Sequence, residues 1–101
     1  MHYNVSTIDS ATRYEYIFDD NSSCALLVGK TGLIYIEIKQ KVPFKELVKA
    51  LKEVSKIISK KGLISTININ NSNYFLKSIA KAAGFKKIPC RGISFTVWVK
   101  H

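Results

Sequence analysis

The sequence predicts an α+β fold, a mostly antiparallel sheet packed against two helices, in the order β-β-β-α-β-α-β. Five short runs rich in β-branched and aromatic residues are bounded by turn formers, which is typical of strands. Two longer segments instead repeat apolar residues every three or four positions, which is typical of helices with one buried face. With 101 residues, 47% of them hydrophobic, the chain is expected to form one domain, residues 1–101.

Three strands are predicted in the first part of the chain. The first covers Tyr14–Phe18 and ends at a cluster of turn formers, residues 19–22. The second and third, Cys24–Val28 and Leu33–Lys39, are joined by the tetrapeptide Gly29–Gly32. Glycines permit the positive φ of a tight turn, so these two strands are predicted to form a hairpin.

The longer helix is predicted from Pro43 to Lys61. Proline suits the first helical position because its missing N–H has no partner there, and Gly62 is expected to end the helix. The apolar residues of this segment fall on one face and are expected to enter the core. They are Phe44, Leu47, Val48, Leu51, Val54 and Ile58.

The most informative stretch runs from Leu63 to Phe85. A strand over Leu63–Ile69 leads into an Asn-rich turn, residues 70–73, in which Asn71, Ser72 or Asn73 is expected to cap the short helix that follows. That helix has apolar residues at 75, 76, 79, 80 and 83, and Gly84 suits the left-handed position after its end. The last strand is predicted at Ile93–Val99.

Charge is divided unevenly along the chain. Residues 1–53 hold seven basic and seven acidic side chains, whereas residues 54–101 hold nine basic side chains and no acid, which accounts for the net charge of +9. Such asymmetry favours a polyanionic partner, although a solubilising surface explains it equally well. The candidate contact residues are Lys56, Lys60, Lys61, Lys86, Lys87 and Arg91.

The order of elements, with a helix that ends in Gly-Phe before the final strand, resembles the GNAT superfamily of N-acetyltransferases over about Leu33 to Lys100. In that family an Asn precedes the last helix and a Gly-Phe pair follows it, and here Asn73 and Gly84-Phe85 match those positions. The resemblance implies a compact, truncated GNAT-like domain. It also makes Asn73 a candidate cofactor-binding residue and Glu37, in the central strand, the candidate general base, although a strand carboxylate that simply faces solvent is the commoner case.

Two departures from the GNAT pattern predict a protein without catalytic activity and without a cofactor. GNAT enzymes hold the pyrophosphate of acetyl-coenzyme A on a Gly-rich loop before the long helix. The matching segment, residues 39–43, has no glycine; Lys39 and Lys41 offer charge there, but not a ring of backbone amides. The family's general-acid Tyr aligns with Ala80. The alternative is an acetyl-coenzyme A-dependent N-acetyltransferase with an atypical cofactor loop.

A narrower resemblance is to GNAT-like internal virion proteins of short-tailed phages, carried by the polar turn and the run Phe75-Leu76-Lys77-Ser78-Ile79. It implies a structural component of a virion whose partners are other protein subunits. Non-specific DNA contact is expected in second place, because no aromatic-rich basic motif marks a dedicated nucleic-acid reader. The polar start of the chain lacks the features of a signal peptide, so the expected location is the virion or the host cytoplasm, without secretion or membrane insertion.

Two cysteines do not make a disulfide framework, so Cys24 and Cys90 are interpreted as reduced thiols. Cys90 lies beside Arg91, which lowers a thiol pKa in principle, but no base is near in sequence and a structural cysteine is the preferred interpretation. No Cys or His pair has the spacing of metal ligands, and no metal site is predicted.

Overall fold

A computed structural model of the protein describes residues 2–38, 42–88 and 94–101. Its elements confirm the predicted α+β class. In chain order they are β1 (His2–Ile8), β2 (Ala11–Asp19), β3 (Ser22–Val28), β4 (Leu33–Ile38), α1 (Phe44–Lys60), β5 (Ser65–Asn70), α2 (Tyr74–Ala82), β6 (Lys86–Ile88) and β7 (Phe95–Lys100).

The described strands form one sheet in the order β1-β2-β3-β4-β5-β7-β6. Neighbouring strands are antiparallel except β4 and β5, which are parallel. Parallel neighbours need a long crossover connection, and α1 lies in the segment that provides it. The sheet is therefore mostly antiparallel, as predicted, with a single change of direction at its centre.

The predicted order β-β-β-α-β-α-β was wrong in omitting two strands. β1 is joined to β2 by a two-residue turn in which Asp9 has a φ of 54°, and Ile8 pairs with Ala11 across it. The side chains of residues 3–8 are all exposed. The segment therefore lacks the alternation of buried and exposed positions by which a strand is predicted from sequence. β6 is only three residues long and exposed throughout, which is too short for any periodicity.

α1 covers the segment predicted for the long helix, with a corrected start. Pro43 is the N-cap, with φ −59° and ψ 137°, rather than the first helical residue, and its carbonyl accepts the N–H of Leu47 at 3.1 Å. At the other end, the N–H of Leu63 donates to the carbonyl of Ile58 at 3.2 Å, and Gly62 has a φ of 75°. This Schellman pattern confirms that Gly62 ends the helix.

α2 ends in the same pattern. The N–H of Phe85 donates to the carbonyl of Ala80 at 2.9 Å, and the N–H of Gly84 donates to that of Lys81 at 3.1 Å. Gly84 has a φ of 94°, the left-handed conformation that the sequence predicted for it. Phe85 is only 3% exposed, so the turn after the helix carries this ring into the core.

Both helices lie on one face of the sheet. The rings of Phe44 in α1 and Phe75 in α2 meet edge to face with 6.3 Å between centroids. Both rings lie at the rim of the core and are partly exposed, so the prediction that they are core residues was wrong. A single core joins the helices to the sheet. Its fully buried large side chains are Tyr16, Leu26, Ile34, Leu47, Leu51, Ile58, Ile69 and Ile79.

Candidate functional site

The sheet opens at its centre, between the two parallel strands. β4 and β5 pair only at Leu33–Thr66 and Ile34–Ile67, next to a 3.1 Å hydrogen bond from the Thr66 N–H to the Gly32 carbonyl. Beyond these pairs, β4 continues to Ile38 and β5 to Asn70 without described pairing between them. The opening leaves a cleft of about 390 Å³, within the range of sites for small ligands.

The cleft is lined by both strands and by the start of α2. Its lining residues are Ile34, Tyr35, Ile36, Ile67, Asn68, Ile69, Asn70, Asn73 and Leu76. None of these side chains is a carboxylate, amine, imidazole or thiol, and Tyr35 is 67% exposed. The diverging strand edges also present main-chain N–H and C=O groups, which recognise an extended ligand as they recognise a neighbouring strand.

The Asn-rich turn at the end of β5 is fixed by its own hydrogen bonds. The side-chain oxygen of Asn70 accepts from the N–H of Ser72 at 2.9 Å and from its hydroxyl at 2.7 Å. The side-chain oxygen of Asn71 accepts from the hydroxyl of Thr96 in β7. The turn is therefore tied both to itself and to the neighbouring strand, so the cleft ends in a rigid polar corner.

Asn73 is the residue that caps α2, as the sequence predicted for one member of this turn. Its side-chain oxygen accepts the N–H of Leu76 at 3.1 Å, and its own N–H donates to the carbonyl of Asn70 at 2.9 Å. Asn73 lines the cleft. Its role as a cofactor contact, which the GNAT resemblance implies, stays a prediction. Because its side-chain oxygen already holds the helix terminus, Asn73 positions the corner of the cleft.

Glu37, the candidate general base, lies in β4 opposite Ala25 of β3 and is half-buried. By alternation it shares the face of Tyr35, away from the helices, but it is not among the residues that line the cleft. Lys39 and Lys41, the other cofactor candidates, lie outside the described residues.

The predicted polyanion-contact residues fall into two groups. Lys56, Lys60 and Lys61 are exposed on and just after the C-terminal part of α1. Lys86 and Lys87 are exposed on β6, at one edge of the sheet. Arg91 lies outside the described residues.

Lys100, which was not among the predicted contacts, connects the two groups. Its ammonium group donates to the carbonyl of Ala83 at 2.7 Å, at the end of α2. Burial lowers the pKa of Lys100, and the positive charges of Lys52 and Lys56 lower it further. Lys86 lies with Lys100 along a groove of about 440 Å³. No local pattern marks Lys100, because its neighbours come from distant parts of the chain.

Cys24 faces the helices and is 1% exposed. Burial raises the pKa of its thiol to about 11, so it stays protonated near neutral pH and is a poor nucleophile. Cys90 lies outside the described residues. In the part of the chain that the structure describes, no three His, Cys, Asp or Glu side chains are grouped as metal ligands.

Comparison of the chain with protein-family models, curated proteins and solved structures gives no match. Within the described residues, neither helix combines the length and the apolar character needed to cross a bilayer.

Proposed function

We propose that the chain is a non-catalytic GNAT-like protein that binds other subunits of a larger assembly, with a phage virion component as the class that the sequence resemblance implies. The observation that carries this proposal is the β4–β5 cleft. Its described lining holds no carboxylate, amine or guanidinium group and its walls are strand edges, an arrangement suited to holding an extended chain. Its described lining includes no carboxylate or imidazole, the side chains that most often act as a general base.

The GNAT-like part of the proposal is supported by the topology. A helical crossover connects the parallel strands β4 and β5, and the last helix ends at Gly84-Phe85 before the two C-terminal strands, in agreement with the resemblance. The proposal keeps the location that the resemblance implies, the virion or the host cytoplasm.

A second candidate function is an acetyl-coenzyme A-dependent N-acetyltransferase. The cleft itself favours it, because a gap between parallel strands can hold the extended arm of such a cofactor. In that case Glu37 would act as general base, and Lys39 and Lys41 would contact the phosphates. Pro43 at the N-cap of α1 has no N–H to offer a phosphate, which weighs against this candidate.

Isothermal titration with acetyl-coenzyme A separates the two candidates. The non-catalytic proposal expects a Kd weaker than about 1 mM at physiological salt, equivalent to only about −4 kcal/mol. A micromolar Kd that disappears in the Lys39→Ala, Lys41→Ala double variant would overturn it. Lys30→Ala, an exposed lysine in the β3–β4 turn, is the matched control and should leave binding unchanged in either case.

We propose that the exposed lysines of α1 and β6 contact a protein partner in preference to DNA. A gel-shift series from about 50 to 200 mM salt tests this preference. A protein partner predicts negligible DNA affinity even at low salt. DNA as the partner predicts weak, sequence-independent binding that falls steeply with salt, because phosphates release counterions. Replacing Lys56, Lys60 and Lys61 by Gln would then flatten the salt dependence, whereas Lys30→Gln would change it least.

A further inference from the structure

Strand β1 forms an unprotected edge of the sheet. It is seven residues long and, among the described strands, pairs only with β2. Its sequence, HYNVSTI, contains no Lys, Arg, Asp, Glu, Pro or Gly. Proteins usually protect edge strands with charges, proline, bulges or short length, because the free N–H and C=O groups otherwise pair with another chain.

The opposite edge has the usual protection. β6 is three residues long, and two of the three are Lys86 and Lys87. The same protein therefore has one edge that resists pairing and one that permits it. This contrast marks β1 as an interaction surface.

β1 also extends beyond the cover of the helices. α1 packs over β2, β3 and β5, and the Tyr3 ring stacks on the buried Tyr16 ring with 5.3 Å between centroids. Even so, Tyr3 and Val5 remain 42% and 55% exposed. An added strand would cover apolar surface as well as the free backbone groups.

We propose that β1 pairs antiparallel with β1 of a second copy of this chain, which joins the two sheets across a twofold axis. The distribution of charge favours β1 over the Lys-bearing β6 as the edge through which two copies pair. Residues 1–38 carry two basic and five acidic side chains, a net charge of −3, and residues 39–101 carry fourteen basic and two acidic, a net charge of +12; together these give the +9 of the chain. Pairing through β1 keeps the strongly basic parts of two copies apart, at the far ends of the joined sheet.

The strand is self-complementary when it is centred on Val5. In that register Val5 faces Val5 of the partner subunit, Tyr3 faces Thr7 of the partner subunit, and Asn4 faces Ser6 of the partner subunit. Each pair combines β-branched, aromatic or small polar side chains, which are favourable neighbours across antiparallel strands. No pair places like charges opposite each other.

Sedimentation equilibrium of the full chain tests the proposal. At about 100 μM protein, where a Kd of about 10 μM leaves most chains dimeric, we expect a weight-average mass that approaches 22.8 kDa, twice the 11.4 kDa of one chain, as the concentration rises. Val5→Lys places two ammonium groups in contact on the twofold axis and should give 11.4 kDa. Ile88→Lys, at the similarly exposed position on β6, should remain dimeric. A monomeric wild type, or a dimeric Val5→Lys, would overturn the proposal, and far-UV circular dichroism checks that each variant is folded.

Disulfide trapping tests the register independently. Facing residues in an antiparallel pair have Cα atoms about 4.5–5.5 Å apart, within the range that a disulfide spans. In a Cys90→Ser background, Val5→Cys treated with oxidised glutathione should form a covalent dimer, as two thiols are oxidised and the glutathione disulfide is reduced. Asn4→Cys, which would face Ser6, and Ile88→Cys should form at least tenfold less. Equal trapping at all three positions would mean random collision and would refute the register.

Discussion

The β1–β4 part of the sheet and the β5–α2–β6–β7 unit acquire their structure by different means. Strands β1 to β4 pair in sequence order, and their buried side chains, such as Leu26, are shielded only when α1 packs over them. The C-terminal unit instead carries explicit local signals, with Asn73 capping the start of α2 and Gly84 closing its end. In the first part the sequence predicted the hairpin of β3 and β4, which has a glycine-containing turn, but missed β1, whose exposed side chains give no such signal.

The largest effect is expected where the two parts meet, at Gly32. A Cβ atom there would lie 2.3 Å from the carbonyl oxygen of Ile64, and the φ of 93° is unfavourable for any other residue. Gly32→Ala should therefore lower the free energy of unfolding by about 4 kcal/mol, the sum of backbone strain and overpacking. Urea denaturation measures the change.

Gly29→Ala, in the same turn, is the matched control. Its Cβ would lie no closer than 3.8 Å to the Leu33 carbonyl oxygen, so the loss should stay below about 1 kcal/mol. Equal losses for the two variants would show that the junction between the two parts is not tightly packed at Gly32.

The end of α2 should show the next largest effect. Gly84→Val places a β-branched residue at positive φ, with its Cβ 3.4 Å from the side chain of Lys100, and should destabilise by about 2 kcal/mol. Gly62→Val, at the end of α1, meets nothing within 4 Å and should cost less. Thermal melts of both variants measure the difference. A neutral Gly84→Val would remove the Gly-Phe match on which the GNAT resemblance depends.

Alkaline pH should weaken the core beneath β3. The Cys24 thiol ionises at its ordinary pKa of 9.0 in the unfolded chain but at about 11 in the folded protein. Its contribution is complete below pH 9 and is lost as the pH rises towards 11, by about 1.4 kcal/mol between pH 8 and 10. Urea denaturation at the two pH values should show a smaller loss for Cys24→Val than for the wild type. An identical loss would mean that other groups, such as Tyr14, carry the pH dependence.

The smallest effect is expected for the cap of α2. Asn73→Ala removes the acceptor of the Leu76 N–H and should destabilise by about 1 kcal/mol. Asn68→Ala is the control, since Asn68 is exposed on β5 and its side chain makes no hydrogen bond within the described residues. Chemical denaturation that ranks Asn68→Ala as the more harmful change would contradict the assignment of the cap.

Prediction from sequence was accurate where one residue determines one conformation. Gly62 and Gly84 end their helices because few other residues accept their φ, and the Asn-rich turn supplies the cap that a nine-residue helix needs. The predicted strand over Leu63–Ile69 begins only at Ser65, because Leu63 takes part in closing α1. Phe75 has the spacing of a core residue, yet it packs against Phe44 at the rim and stays 43% exposed.

The candidate site was less accessible to prediction than the fold. Ile36 and Asn68 belong to strands that the sequence identified, but the angle at which these strands diverge depends on the packing of the helices beneath them. The influence of Lys52 and Lys56 on the pKa of Lys100 likewise depends on tertiary structure, since the first two residues belong to α1 and Lys100 belongs to β7. Of the residues that line the cleft, the sequence proposed only Asn73 as a functional residue.

The short parallel contact between β4 and β5 has a consequence for how the molecule opens. Among the described residues, β4 and β5 pair only at Leu33–Thr66 and Ile34–Ile67, beside the hydrogen bond from Thr66 to Gly32. A fluctuation that separates the two parts of the sheet there breaks few of the described backbone hydrogen bonds. Amide hydrogen exchange should then resolve two partly independent units, linked mainly through the core beneath α1. Any ligand held in the cleft would contact both sides of this seam. It would slow exchange in both units together, so that the protein opens as one cooperative unit.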